Sequence, residues 1–283
     1  VLGLTALFIA SGRVDVGSAI KGIAGALVVN AALFYAGLAP DQYQGRLTGF
    51  LPDKNTSALY LAVATFLLVI VIHRPWKRLA VIIVGSAAVI ATDSRTTMAA
   101  FAAALIWYFT SRHLNTFFQA ITLVVVVIAF FWADQNLAEI GTYAITREGS
   151  DAFRLRIDTA SALKTASAPW YGLGLGEATV ALDSGTWFFH NSYEALITEG
   201  GIVALITVST LYASAGFGLF SRARVEPHSL ESRAIAAATI VLTLCATRLG
   251  EVFFAPIGFV VLGVGLARLL NPNPTPSQPI QVG

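Results

Sequence analysis

Long runs of apolar residues, separated by short polar turns, fill most of the chain. A helix that crosses a bilayer needs about 20 mostly apolar residues, with roughly 17–25 the usual range. Runs of this length, or somewhat shorter, lie near residues 1–10, 20–38, 57–72, 79–92, 96–110, 117–132, 191–220, 234–248 and 252–270. The first is only a stub. The other eight predict an all-α, polytopic integral membrane protein with about eight transmembrane helices.

The composition agrees with this fold class, because 56% of the 283 residues are hydrophobic and only 12% are charged. The net charge is +2 and the basic residues are dispersed, so nothing indicates a nucleic-acid partner. We assign residues 1–270 to a transmembrane domain, and the proline-rich residues 271–283 to a disordered cytoplasmic tail. Because the chain begins without methionine inside an apolar run, we expect its N-terminus to be truncated, with earlier membrane segments missing.

The distribution of basic residues between the loops predicts the orientation, because short loops rich in Lys and Arg stay cytoplasmic. The loops alternate between two sets. One set carries ten of the eighteen basic residues and only three of the sixteen acids, which assigns it to the cytoplasm. The longest loop, residues 133–189, then faces the periplasm together with 39–56, 92–96 and 248–252.

His190 is the one histidine in the predicted outer loops, since His73, His113 and His228 lie in or beside the cytoplasmic set. This separation excludes a metal site made of clustered histidines. The single cysteine, Cys245, lies within an apolar run, and no acidic spacing resembles a calcium-binding loop. We therefore expect no metal ion and no other cofactor.

The stretch WFFHNSYEALITEGG, residues 187–201, joins the large loop to an apolar run. Asn191 and Glu194 have the spacing of a capping box, with Asn191 as the N-cap. His190 precedes the cap, where the positive end of the helix disfavours the imidazolium form, so its neutral ring can accept a proton. The plainer alternatives are an interfacial histidine and a purely structural glutamate. The paired glycines at the end would let a lipid or a neighbouring helix approach.

Arginines recur in the predicted outer loops. They are Arg46, Arg95, Arg147, Arg154, Arg156 and Arg248. Each alone reads as an interfacial residue that extends its charge toward water. Together they indicate an anion, because guanidinium groups bind phosphate in bidentate fashion. Residues 150–166 also predict an amphipathic helix that ends before Pro169, with Arg154 and Asp158 spaced for an ion pair.

Four segments together resemble the O-antigen ligase and polymerase superfamily of bacterial membrane glycosyltransferases. They are RLTGFLPDKNTSA at 46–58, DSRTT at 93–97, the run from Arg147 through Arg154 to PWYGLGLG at 169–176, and HNSYEALITEGG at 190–201. The segments are spread over about residues 40–220. His190 and Gly201 have the spacing of the ligases. Ala99 stands where the ligase pattern has leucine after Arg95, so the sequence does not choose between ligase and polymerase.

The resemblance implies transfer of a glycan from a lipid-linked donor, undecaprenyl pyrophosphate, to an acceptor at the periplasmic face of the bacterial inner membrane. The acceptor would be lipid A core, a growing glycan or a protein. His190 would be the general base. The pyrophosphate would be bound by Arg46, Arg95 and Arg147 or Arg154, with Glu194 and Arg248 as secondary candidates.

Two other classes of function stay open at this stage. A transporter of a polar lipid or an anionic solute would also gather arginines in a membrane cavity. Its site has to serve both faces of the membrane, whereas this chain shows no internal repeat and no acid–base pair in its cytoplasmic portions. A non-catalytic scaffold in glycan assembly is the third possibility.

Overall fold

The computed structural model describes residues 2–136, 144–182, 185–219 and 229–270, without the side chains of 134–136 and 144–151. These residues form ten α-helices and one β-hairpin. The first five helices are α1 (Leu2–Ala10), α2 (Val16–Tyr35), α3 (Lys54–Val71), α4 (Pro75–Ala91) and α5 (Arg95–Thr110). The others are α6 (Thr116–Asn136), α7 (Ala144–Ser167), α8 (Ser192–Phe217), α9 (Leu230–Cys245) and α10 (Pro256–Leu270). The predicted tail, 271–283, lies outside the described residues.

Every apolar run read from the sequence coincides with a helix, and the described chain is mostly helical. Four of these helices, α2, α3, α6 and α8, are long and apolar enough to cross a membrane. The helical membrane architecture is thus supported, whereas the number of eight crossings stays a prediction, because α4, α5, α9 and α10 have only 15 to 17 residues.

Helix α9 lies at the centre of the bundle, where it packs against α3 and α5. Twelve of its sixteen residues are buried. A run of small residues, Ala236 to Ala238, lets the neighbouring helices approach closely. By contrast, α2 and α6 expose large apolar side chains such as Val28 and Ile128, a surface that suits lipid better than water.

The large loop contains a small folded unit that the sequence analysis predicted only in part. Helix α7 ends at Ser167 as expected but begins six residues before the predicted start at 150. It is followed by an antiparallel hairpin of β1 (Thr179–Leu182) and β2 (Gly185–Phe188), which was not anticipated. All four residues of β2 are exposed, so this strand lacks the alternation of buried and exposed positions that marks a strand in a sequence.

Helix α8 is interrupted at Gly201, whose backbone (φ 68°, ψ −168°) is not helical. Residues 169–178, which we call the glycine loop, fill the interruption. Three hydrogen bonds join them: Leu173 N–H to the Thr198 carbonyl (2.7 Å), Gly174 N–H to the Glu199 carbonyl (3.0 Å), and Ile202 N–H to the Trp170 carbonyl (2.9 Å). The paired glycines therefore admit this loop, and not the lipid or helix that the sequence suggested.

We expect Gly201→Ala to lower the free energy of unfolding by about 1–3 kcal/mol or more, the range for strained backbone. The φ of 68° disfavours an L side chain, and a Cβ would lie 1.9 Å from the carbonyl oxygen of Trp170. Thermal denaturation in detergent measures the change. Gly25→Ala in α2 is the control, because a Cβ there meets nothing within 4 Å. Equal midpoints for the two variants would contradict the proposed role of the close contact.

Candidate active site

His190 lies directly before α8 and has a carboxylate partner on α7. Its Nδ1 is 3.0 Å from Oδ1 of Asp158, and both side chains are about one-third exposed. A carboxylate oxygen accepts hydrogen bonds, so this contact favours the tautomer with the proton on Nδ1. The lone pair then resides on Nε2, where it can accept a proton.

The N-terminus of α8 fixes the backbone next to His190. The side chain of Asn191 caps the helix by accepting from the amides of Tyr193 (3.0 Å) and Glu194 (3.4 Å), which confirms the predicted N-cap. The carboxylate of Glu194 accepts from the Asn191 side chain at 3.1 Å. Glu194 therefore supports the cap itself, in agreement with the structural interpretation of this residue.

The turn between α9 and α10 packs against the same segment. The hydroxyl of Ser192 donates to the carbonyl of Leu249 and accepts from the amide of Val252 (3.1 Å). A Cβ on Gly250 would lie 1.9 Å from the carbonyl oxygen of Phe189, so only glycine fits beneath the residue that precedes His190. Contacts from α7 and from the α9–α10 turn thus determine where the imidazole lies.

A cavity of about 860 Å³, which we call the large cavity, opens beside the imidazole. Its size is within the roughly 300–1,000 Å³ that small-molecule sites occupy. The polar side chains around it include Arg154, His190, Tyr43, Asp53, Asn55 and Glu251. These residues come from loops that the charge distribution assigned to one side of the membrane. The structure brings those loops together at one end of the bundle.

Arg46 lies near this cavity in an ion pair. Its Nε is 2.8 Å from Oδ2 of Asp93, and Nζ of Lys54 is 3.0 Å from the Asp93 carbonyl. Arg95 begins α5 two residues later. The hydroxyl of Ser94 donates to Oδ1 of Asn55 at 2.9 Å, which ties this turn to the cavity wall. Neither arginine lines the cavity itself.

The remaining predicted residues differ in their placement. Arg154 lines the large cavity, and Arg248 lies in the α9–α10 turn directly before the lining residues 249–252. The side chain of Arg147 lies outside the described residues. The prediction that Arg154 pairs with Asp158 is wrong for the described residues. Asp158 contacts His190 instead.

Several residues of the site could not be predicted from the sequence. Asp158 was predicted to pair with Arg154, because helical spacing shows which residues share a face of the helix. It does not show which residue from a distant part of the chain contacts that face. Tyr43 carried no signal at all. Burial, together with the charge of Asp53, raises the pKa of the Tyr43 hydroxyl, so it remains a hydrogen-bond donor at neutral pH.

Within the part of the chain that the structure describes, no three His, Cys, Asp or Glu side chains are grouped as metal ligands.

The comparison with known families agrees with the resemblance noted in the sequence. Residues 80–209 match the family model described as O-antigen ligase. No curated protein and no solved structure matches the chain. The matched region contains His190, Asp158, Arg154 and the glycine loop. This match supports the O-antigen ligase and polymerase superfamily, a family of glycosyltransferase-like enzymes, for residues 80–209.

Proposed function

We propose that the protein transfers a glycan from an undecaprenyl-pyrophosphate carrier to an acceptor hydroxyl at the periplasmic face of the bacterial inner membrane. The observation that carries this proposal is the His190–Asp158 pair beside a cavity that Arg154 also lines. Lipid A core and the end of a growing glycan are both suitable acceptors, because each offers a sugar hydroxyl. Ligation and polymerisation share this chemistry.

His190 acts as the general base. The acceptor oxygen attacks the anomeric carbon of the donor while its proton moves to Nε2 of His190. The bond from the anomeric carbon to the pyrophosphate oxygen breaks, and its electron pair leaves with the pyrophosphate. Asp158, at Nδ1, stabilises the imidazolium that forms and holds the ring in the required tautomer.

Arginines stabilise the departing pyrophosphate. Arg154 acts from within the large cavity, and Arg46 and Arg95 act from its border. Asp93 pairs with Nε of Arg46 at 2.8 Å, and a guanidinium has further N–H groups that can bind phosphate oxygens. Negative charge on the pyrophosphate increases as the bond breaks, so these contacts are stronger in the transition state than in the ground state.

Other members of the predicted set have supporting roles. Arg147 lies two turns before Arg154 on α7, and its role in binding the anion is proposed from the family motif alone. Arg248 would act from the α9–α10 turn, and Glu194 through the cap beneath His190. Because His190 transfers the proton and the arginines stabilise the charge, this mechanism needs no divalent cation.

We expect His190→Ala to lower the transfer rate by on the order of 10²–10⁴-fold, the range for general acid–base catalysis, with donor binding nearly unchanged. The wild-type rate should fall toward acid pH, since a protonated imidazole cannot accept a proton, and the variant should lose this acid limb. Asp158→Asn should give an intermediate rate, because the amide no longer favours the Nδ1–H tautomer.

The measurement uses purified protein with EDTA, a lipid-linked glycan and a panel of acceptors, with the product identified by mass spectrometry. His73→Ala, in the turn between α3 and α4 at the opposite end of the bundle, is the control and should retain activity. Near-normal turnover in His190→Ala would disprove the assigned base. Activity that EDTA abolishes and a divalent cation restores would disprove the metal-independent mechanism.

A positive charge at position 154 should not be enough to bind the donor, because the planar guanidinium of Arg154 offers two parallel N–H groups to a phosphate. We expect Arg154→Lys to weaken donor binding and lower the rate by about tenfold or more, because lysine cannot bind phosphate in bidentate fashion. Arg156→Lys is the matched control, since Arg156 lies on the same helix but does not line the large cavity. A donor titration of both variants provides the test, and equal affinities would assign Arg154 to the surface.

The orientation of the site has its own test. A reporter enzyme that is active only in the periplasm should be active when fused after Ala168, at the end of α7, and inactive when fused after His73. The excess of basic residues in the loop set that contains His73 is the reason for this expectation. The reverse pattern would place His190 in the cytoplasm and refute the periplasmic assignment.

A further inference from the structure

A second cavity lies next to the large cavity, and the proposed mechanism does not use it. This small cavity has a volume of about 280 Å³, close to the lower end of the range for small-molecule sites. It lies between the hairpin, α8 and the α9–α10 turn. Its lining includes four aromatic rings and two carboxylates: Phe188, Phe189, Phe253, Phe254, Glu199 and Glu251.

The small cavity shares a wall with the large cavity. Phe188, Phe189, Glu251 and Phe254 line both cavities. His190 directly follows Phe189 and contributes to the large cavity alone. A molecule in the small cavity would therefore lie close to the catalytic base. The donor would lie in the large cavity, on the other side of the shared wall.

The charges of the two cavities differ. None of the described residues that line the small cavity is basic, whereas Arg154 lines the large one. Both cavities are lined by two carboxylates, but only the large one has a cation to offset their repulsion of pyrophosphate, so the small cavity is less suited to the donor anion. The two carboxylates also differ from each other. Glu199 already accepts from the amides of Gly176 (3.0 Å) and Ala178 (3.2 Å), whereas Glu251 is exposed at the wall between the cavities.

Aromatic rings beside a carboxylate match the chemistry of a neutral sugar. The electron-rich face of an aromatic ring attracts the polarised C–H groups of a pyranose. A carboxylate accepts two hydroxyl hydrogen bonds at once, and these charge-assisted bonds are stronger than neutral ones. A lipid chain, by contrast, has no hydroxyl groups to donate to Glu251.

We propose that the small cavity is the subsite for the acceptor sugar. It binds a neutral pyranose at the end of the acceptor, with the ring against Phe254 and Phe188 and with its hydroxyls hydrogen-bonded to Glu251. The bound sugar then presents one hydroxyl across the shared wall to His190. This inference rests on the proposed function, since it names the substrate class of that same site.

The test measures binding of neutral methyl glycosides by saturation-transfer NMR, with purified protein and no donor. The glycosides are those of glucose, galactose, mannose and N-acetylglucosamine. Glu251→Gln removes the charge, and Phe254→Leu removes the aromatic face but keeps an apolar side chain; Phe254 is 48% exposed, so leucine is tolerated there. We expect at least one glycoside to bind, and each variant to weaken its binding by about tenfold.

Two controls accompany these variants. Glu177→Gln removes an exposed carboxylate that pairs with Lys164 and lines neither cavity, so its glycoside binding should equal that of the wild type. His190→Ala should also bind the glycoside while failing to transfer the glycan. In the transfer assay, Glu251→Gln and Phe254→Leu should raise the KM for the acceptor and leave the KM for the donor unchanged.

The outcomes separate the two proposals. Absence of glycoside binding, or binding that neither variant weakens, overturns the subsite. Transfer with an unchanged acceptor KM in both variants also overturns the subsite and leaves the proposed function standing. Glycoside binding that both variants weaken, in a protein that transfers no glycan, supports a sugar site and overturns the proposed function. A fatty acid that displaces the glycoside competitively would identify a lipid site instead.

Discussion

The hydrogen bonds between the interrupted helix α8 and the glycine loop are the constraint on which the site depends. In an apolar environment an unpaired backbone group costs several kcal/mol, so a helix can break there only where other groups replace its lost bonds. The loop does so through Leu173, Gly174 and Trp170. Once the loop is fixed there, the chain between α7 and α8 has a set path, and His190 lies at its end.

Further contacts hold α7 in the same arrangement. The hydroxyls of Thr165 and Thr198 are 2.9 Å apart, and Nζ of Lys164 donates to the carbonyl of Thr179 at 3.0 Å. Ile157 and Phe189 pack together in a small apolar cluster below the hairpin. Asp158 follows Ile157 directly, so the packing that buries the isoleucine also brings the carboxylate to the imidazole. The His190–Asp158 pair is thus a consequence of how the large loop folds.

The sequence predicted those features that depend on neighbouring residues and missed those that depend on distant ones. Apolar runs indicated the helices because a membrane helix satisfies its own backbone, and the Asn191 cap followed from residues three apart. The partner of His190 lies 32 positions away, and Asp93 lies 47 positions from Arg46. No local pattern records such pairs. The family motifs pointed to His190 and Arg154, and both side chains line the large cavity.

Glycine-rich loops beside active sites are common hinges, yet the glycine loop of this protein has the opposite character. To swing away, it would have to release three backbone hydrogen bonds at once and leave the interrupted helix unsatisfied. Such an opening therefore costs free energy that an ordinary flexible loop does not have to supply. The glycines here serve close packing and not movement, so we expect this wall to stay closed.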